Sequence, residues 1–230
     1  GLTEDTANDD TTDWLIEYDT SAALHKKVLP KNLGFTPAGT GAYLRTMQGK
    51  VRERVSILDF IPPALHAGIR AGTDTTDLAT YLAAARTHVG TLNQPACIFF
   101  PSGKYTTSLS PNWCLSHLEL ATEGEVVWSY TGTGNAFIVD GGAFPAPGAL
   151  NMRIGRFRIE GTSTTQNGVY VRCIHHSWFD GFNIRNVGTA YAGLLIEFAV
   201  CTVFNKVICS NNHGAFTTAP AYGVKCDQRS

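Results

Sequence analysis

One spacing recurs through the second half of this 230-residue chain. Phe157, Phe182 and Val207 follow one another at an offset of 25, and so do Ile159, Ile184 and Cys209. Between them Gly168-Val169-Tyr170-Val171 returns as Gly193-Leu194-Leu195-Ile196 at the same offset. It returns again as Gly223-Val224-Lys225-Cys226 after 30, the extra length lying in the insert 213–221. A period near 25 built of short strands and Gly/Asn turns, with no helix in it, specifies a β-solenoid. One coil cannot bury its inward face alone, whereas coils stacked in register set Phe on Phe and Ile on Ile. Chance similarity within a β-sandwich would not keep several columns in one register. Asn186 and Asn211 hold the same repeat position and are expected to stack as an amide ladder. Leu118 and Leu120 are expected to continue the same column one coil earlier, with a longer excursion over 121–150.

A solenoid end exposes unpaired strand edges and apolar core, so it needs a cap. The chain offers one just before the first coil. Leu78, Leu82, Ala85 and Val89 fall at i, i+4, i+7 and i+11, one face of a helix. Asp74, Thr75 and Thr76 supply cap oxygens, Asp77 suits the positive helix start, and Gly90 reads as the stop. A short strand at Val55 and a loop through Ile61–Gly72 are expected before it. Cys97-Ile98-Phe99-Phe100, closed by Pro101-Ser102-Gly103, reads as a strand running into a turn.

Upstream the chain changes character. Residues 1–12 are almost wholly polar and expected to be extended or disordered. In Asp13–Asp19, Trp14, Ile16 and Tyr18 alternate with Leu15 and Glu17, and Val28 and Leu29 follow a turn, so a small hairpin is expected. So few residues cannot bury enough surface to fold alone, which implies a docking partner or an oligomer. Residues 34–41 read as a turn-rich joint. Over 42–54, Leu44, Met47 and Val51 at i, i+3 and i+7 predict a short helix with a narrow apolar stripe, suited to self-association.

The bulk properties exclude several classes. A net charge of −1 gives no basic footprint for nucleic acid. No apolar run approaches the length of a membrane span, so no membrane insertion is expected. No signal peptide is visible, and the six cysteines show no metal spacing and read as small core residues. Neither a metal nor a cofactor is expected.

The lead-in carries a resemblance. Val-Arg-Glu-Arg-Val-Ser-Ile-Leu-Asp-Phe (51–60), Ile-Pro-Pro-Ala-Leu-His-Ala-Gly-Ile-Arg-Ala-Gly-Thr (61–73) and Ile-Phe-Phe-Pro-Ser-Gly-Lys-Tyr (98–105) are similar to the opening of the pectate-lyase-like right-handed parallel β-helix of bacteriophage tailspikes and prophage tail proteins. The stretch from Trp14 to Leu33 resembles the short particle-binding modules ahead of such β-helices. One departure is clear: where the family commonly carries Gly-Asp-Gly-x-Thr-Asp-Asp, this chain has Ala-Gly-Thr-Asp-Thr-Thr-Asp (71–77). The resemblance implies a mainly β fold, a right-handed parallel β-helix with an N-terminal capping helix and a small β/α anchoring module. The division expected is 1–54 for anchoring and trimerisation, 55–96 for the opening strand and capping helix, and 97–230 for the coils. It further implies a homotrimer on the virion tail, assembled in the host cytoplasm. One end would dock on a phage tail, baseplate or other tail fibre protein, and the other would meet a host surface polysaccharide. Docking then falls to Trp14, Ile16, Tyr18, Val28 and Leu29. The chain ends just inside a strand, so a longer protein with any catalytic site past residue 230 is expected.

Two enzymatic alternatives stay open. One is a depolymerase, hydrolase or lyase, acting on capsule or lipopolysaccharide; the other is a secreted bacterial pectate-lyase-like enzyme. Glycan hydrolysis needs two carboxylates about 5 to 9.5 Å apart. Glu160, Asp180 and Glu197 are the outward-facing candidates, with Glu160 and Asp180 about one coil apart. Arg158 and Arg185 are the corresponding candidates for a lyase. Each also reads as ordinary coil surface. Trp113, Trp128 and Trp178 are candidates for stacking on sugars or for the core. Adjacent His175 and His176 point to opposite faces of a strand and cannot share a metal there.

Overall fold

The computed structural model describes residues 54–92, 95–143, 148–188 and 192–210, together with the backbone of five further strands. Gly1–Glu53 and Arg54–Ser230 form two compact units. In the first, β1 (Leu15–Asp19) and β2 (Leu24–Val28) pair antiparallel, with Ile16 opposite Lys27 and Tyr18 opposite His25. β3 (Gly34–Phe35) pairs antiparallel with β4 (Arg45–Thr46). The helix expected over 42–54 is therefore interrupted: Arg45 and Thr46 are extended and matched to Phe35 and Gly34. Trp14, Leu29, Leu44, Met47 and Val51 lie outside the described residues.

The second unit is mainly β, its parallel strands forming a solenoid of about four turns. It opens with β5 (Val55–Ser56), which runs into a 3₁₀ turn at Ile57–Phe60. Ser56 and Asp59 close a capping box there. The segment expected to be a loop is a helix, α1 (Pro63–Ala71). Proline stands at its first position and Gly72 closes it in the left-handed conformation, the usual asymmetry of helix ends. The next helix, α2 (Ala79–Thr91), starts later than its cap residues suggest. It also runs through Gly90, which is no stop. Leu78, Leu82, Ala85 and Val89 are all buried and belong to the same core as the strands. Leu78 N–H bonds the Thr106 carbonyl at 2.9 Å, and Arg86 Nε bonds that of Asn112 at 2.9 Å.

The coils follow: β6 (Ala96–Phe100) and β7 (Gly103–Thr107); β8 (Leu118–Thr122), β9 (Val126–Tyr130), β10 (Phe137–Asp140) and β11 (Ala149–Leu150); β12 (Arg153–Glu160) and β13 (Val169–His175); β14 (Trp178–Arg185) and β15 (Ala192–Val200); β16 (Val203–Phe204), β17 (Val207–Ser210) and β18 (Tyr222–Asp227). The register is the one the repeat predicts. Phe157 lies beside Phe182, and Phe182 beside Val207; Ile159, Ile184 and Cys209 follow in step. Val169, Leu194 and Val224 form a further column. Leu118 and Leu120 do not head the Phe157 column. Leu120 instead stands between Ile98 and Ile154, whose column continues through Phe179 and Phe204. Trp128 stands opposite Ile159, with Tyr105 behind it.

Two kinds of corner shape each coil. At one, a single residue adopts the left-handed conformation: His117 (φ 61°), Asn151 (55°), His176 (49°) and Cys201 (49°). That conformation costs a non-glycine residue about 1–2 kcal/mol. Backbone bonds between coils hold it, with Asn151 N–H on His175 O and His176 N–H on Val200 O. At the other, within β12 and β14, the in–out alternation slips by one residue. Ile154 and Phe157 both point inward, as do Phe179 and Phe182, leaving one extra residue in each. The strand bends there, as at a bulge.

The core is aromatic. Phe100, Trp113, Trp128, Phe137, Phe157 and Phe182 form a continuous chain of ring contacts, most of them edge-to-face. Of the cysteines, only Cys173 is fully buried among those described; Cys201 is exposed at its corner, and Cys97, Cys114 and Cys209 are intermediate. Burial raises the Cys114 thiol to about 12, helped by nearby Asp140. The amide ladder expected at Asn186 and Asn211 involves a residue outside the described set. Asn186 occupies a left-handed turn, and Asn211 is outside the described residues. Asn135 and Asn167 do pair between coils: Asn167 Nδ2 donates to Asn135 Oδ1 at 2.9 Å, and Asn167 Oδ1 accepts from Ala192 N–H at 2.9 Å.

Candidate functional site

A solenoid's chemistry lies on its outward columns, because alternation sends every second side chain of each strand away from the core. Most outward charges here clasp neighbouring coils. Arg172 grips Asp140 with two bonds of 2.6 Å. Tyr170 hydroxyl donates to Glu197 at 2.8 Å, and burial first, then this carboxylate, pushes the phenol upward so that it stays protonated. Arg158 reaches Glu125 at 3.1 Å and Glu160 at 2.5 Å.

The three candidate acids are thereby placed. Glu197 accepts from Tyr170 and stands opposite Arg172 in the register. Glu160 pairs with Arg158 and stands opposite Arg185. Asp180 accepts from Trp178 Nε1 at 2.7 Å, with Arg153 at 3.8 Å. Glu160 and Asp180 are not neighbours. The constant offset between coils aligns Asp180 with Gly155, five positions along β12 from Glu160, roughly 16 Å at the rise of a strand. That exceeds the separation either glycosidase geometry uses. Arg158 and Arg185 also fall in different columns, since Arg158 faces Asn183 and Arg185 faces Glu160. Among the described residues no three of His, Cys, Asp and Glu gather as a metal site, and no described helix is long and apolar enough to cross a membrane.

The tryptophans divide. Trp113 and Trp128 are fully buried, while Trp178 is 44% exposed on the outer face of β14. Its indole edge is fixed by Asp180, which leaves a ring presented to solvent beside two charged groups. Leu150, Val200 and Val203, all exposed, flank the same left-handed corner.

The strand bend forms a cleft of about 240 Å³ that the motifs above leave unnoticed. Glu125, Arg156, Arg158, Gly181, Asn183 and Lys206 are among its lining. Arg156, Gly181 and Lys206 share one column at the bend, each at the repeat offset from the last, so the signal is present in the sequence. A larger cleft, about 330 Å³, lies between the end of α2 and the first corner; among the described residues His117 is the one titratable group in its lining.

Asp74 and Asp77, before α2, make local bonds. Asp74 Oδ1 accepts from Thr76, and Asp77 Oδ1 accepts from Ala79 N–H and Ser108 N–H, both at 3.0 Å. No family model matches this sequence, and neither a curated protein nor a solved structure matches it.

Proposed function

We propose that this chain is a tailspike or tail fibre component of a bacteriophage. In this reading Gly1–Glu53 attaches to the particle, and the solenoid, three chains together, projects toward a host surface glycan. The observation that carries it is the pairing of a compact solenoid with a separate small N-terminal unit of short antiparallel strands. So few short strands bury too little surface to be stable alone, so this reading gives the unit a partner. The α2 face, buried with the first coil, acts as the cap of the solenoid's first coil. The exposed row of Leu150, Trp178, Val200 and Val203 offers apolar surface for a neighbouring copy or a sugar.

The outward acids favour presentation over cleavage within these coils. Each of the three candidates is engaged by an Arg, Tyr or Trp, and Glu160 and Asp180 stand too far apart to act together. Light scattering tests the reading. The expected mass is three times the 24.8 kDa of one chain. A monomer at high concentration would overturn it.

A further inference from the structure

We propose that the bend cleft is an anion site, and that it holds the acid group, carboxylate or sulfate, of an acidic polysaccharide. This deepens the glycan-presenting role proposed above and rests on it.

The argument begins at Gly181. A Cβ there would sit 2.9 Å from the Lys206 carbonyl oxygen and within 3.8 Å of Arg156 Cγ. The missing side chain therefore lets the neighbouring backbone approach closely and leaves the outer face between two cations, one on each neighbouring coil, uncovered. Arg156 and Lys206 flank Gly181 in the register, roughly 10 Å apart along the coil stack at two strand spacings. Both are exposed, and among the described residues neither side chain has a hydrogen-bond or carboxylate partner. The negative charges near them are already matched. Glu125 and Glu160 share Arg158, with Arg185 opposite Glu160 in the register, and Asp180 is held by Trp178 and Arg153. The unmatched field at the cleft is thus positive. Arg158 Nε, also at the cleft, is buried without an acceptor, and a buried donor left unsatisfied is costly.

An acid group seated on Gly181 could take a charge-assisted bond from each side, each about 2.8 Å long. Asn183, also in the lining, adds a polar group for a neighbouring hydroxyl. Trp178 stands three positions along β14, roughly 10 Å away, at a distance suited to stacking on another sugar of the same chain. A neutral glycan could use the tryptophan but would leave the two cations unanswered.

The test is titration calorimetry of the full chain with an oligogalacturonate, a sulfated oligosaccharide and neutral malto-oligosaccharide. The comparison protein is the double variant Arg156→Gln/Lys206→Gln. Both side chains are exposed and unpartnered, so the variant keeps its fold, which circular dichroism verifies. At least one acidic oligosaccharide is expected to bind the native chain at least tenfold more tightly than the double variant, and the neutral one to show no such difference. Which acidic probe binds distinguishes carboxylate from sulfate. Absence of binding by both acidic probes, equal binding to both proteins, or equal binding of the neutral probe overturns the proposal. The outcome is separable from the spike reading: a trimer that ignores acidic sugars removes the site alone, and a monomer that binds them removes the spike alone.

Discussion

Trp113 and Trp128 meet edge to face at 6.2 Å in the centre of the aromatic chain, both fully buried. Their polar atoms differ. Trp128 Nε1 donates to the Ala136 carbonyl at 2.7 Å, whereas Trp113 Nε1 has no acceptor. Phenylalanine at either position removes a ring and leaves some space. Only at 128 does it also break a buried hydrogen bond, and at 113 it removes a buried donor that nothing satisfies. Trp128→Phe is therefore expected to cost about 1–2 kcal/mol more than Trp113→Phe in urea unfolding. Equal losses would mean that the indole bond contributes nothing. The left-handed corners are likewise a matter of single residues. His117, Asn151, His176 and Cys201 are of three types, so no single residue type marks the turn in the sequence. What they share is position, and at the first three the backbone N–H donates to a carbonyl of the next coil.

At the scale of elements, α2 is tied to the first coil through its N-terminal acid. Burial raises the Asp77 carboxyl, but bonds from the Ser108 hydroxyl, Ser108 N–H and Ala79 N–H outweigh it, and its pKa falls below the ordinary 3.8. A group depressed in the folded state stabilises above its ordinary pKa, and that stabilisation is lost as pH falls through the folded value. Asp77 is exposed, so screening keeps the effect small. Asp77→Asn, which keeps the acceptor but loses the charge, is expected to lower stability by about 0.5 kcal/mol at neutral pH. The deficit should shrink in urea titrations below pH 3.8, and a deficit unchanged down to pH 2 would contradict this role for Asp77. The elements also show where the sequence is legible. From β12 to β17 the coils keep one offset and can be read down to individual pairs, and β15 meets β18 at 30 across the insert. Earlier coils do not keep it. Leu120 pairs with Ile154 and Trp128 with Ile159, both at longer and unequal offsets, because the excursion after β9 lengthens that coil. No single period reveals such a column. Helix α1 is hidden by Pro62, Pro63 and Gly68, which read as breakers, although proline at a helix start and Gly72 past its end are positive signals.

At the scale of the molecule, the stack sorts side chains by direction. Inward columns make one apolar core, outward charges clasp coil to coil, and Arg156 and Lys206 fall at the bend where β12 and β14 each carry an extra residue. The periodicity alone could place these residues in columns. It could not show which outward charges are already answered, because that depends on contacts between coils. All of this rests on the later coils stacking at their constant offset. Methyl nuclear Overhauser spectra of the native chain test that claim most directly. They are predicted to join Ile159 to Ile184, Val169 to Leu194 and Val171 to Ile196, with Leu120 reaching Ile154 across its longer coil. Absence of these cross-peaks, with Ile184 joined instead to residues of an antiparallel neighbour, would contradict the account.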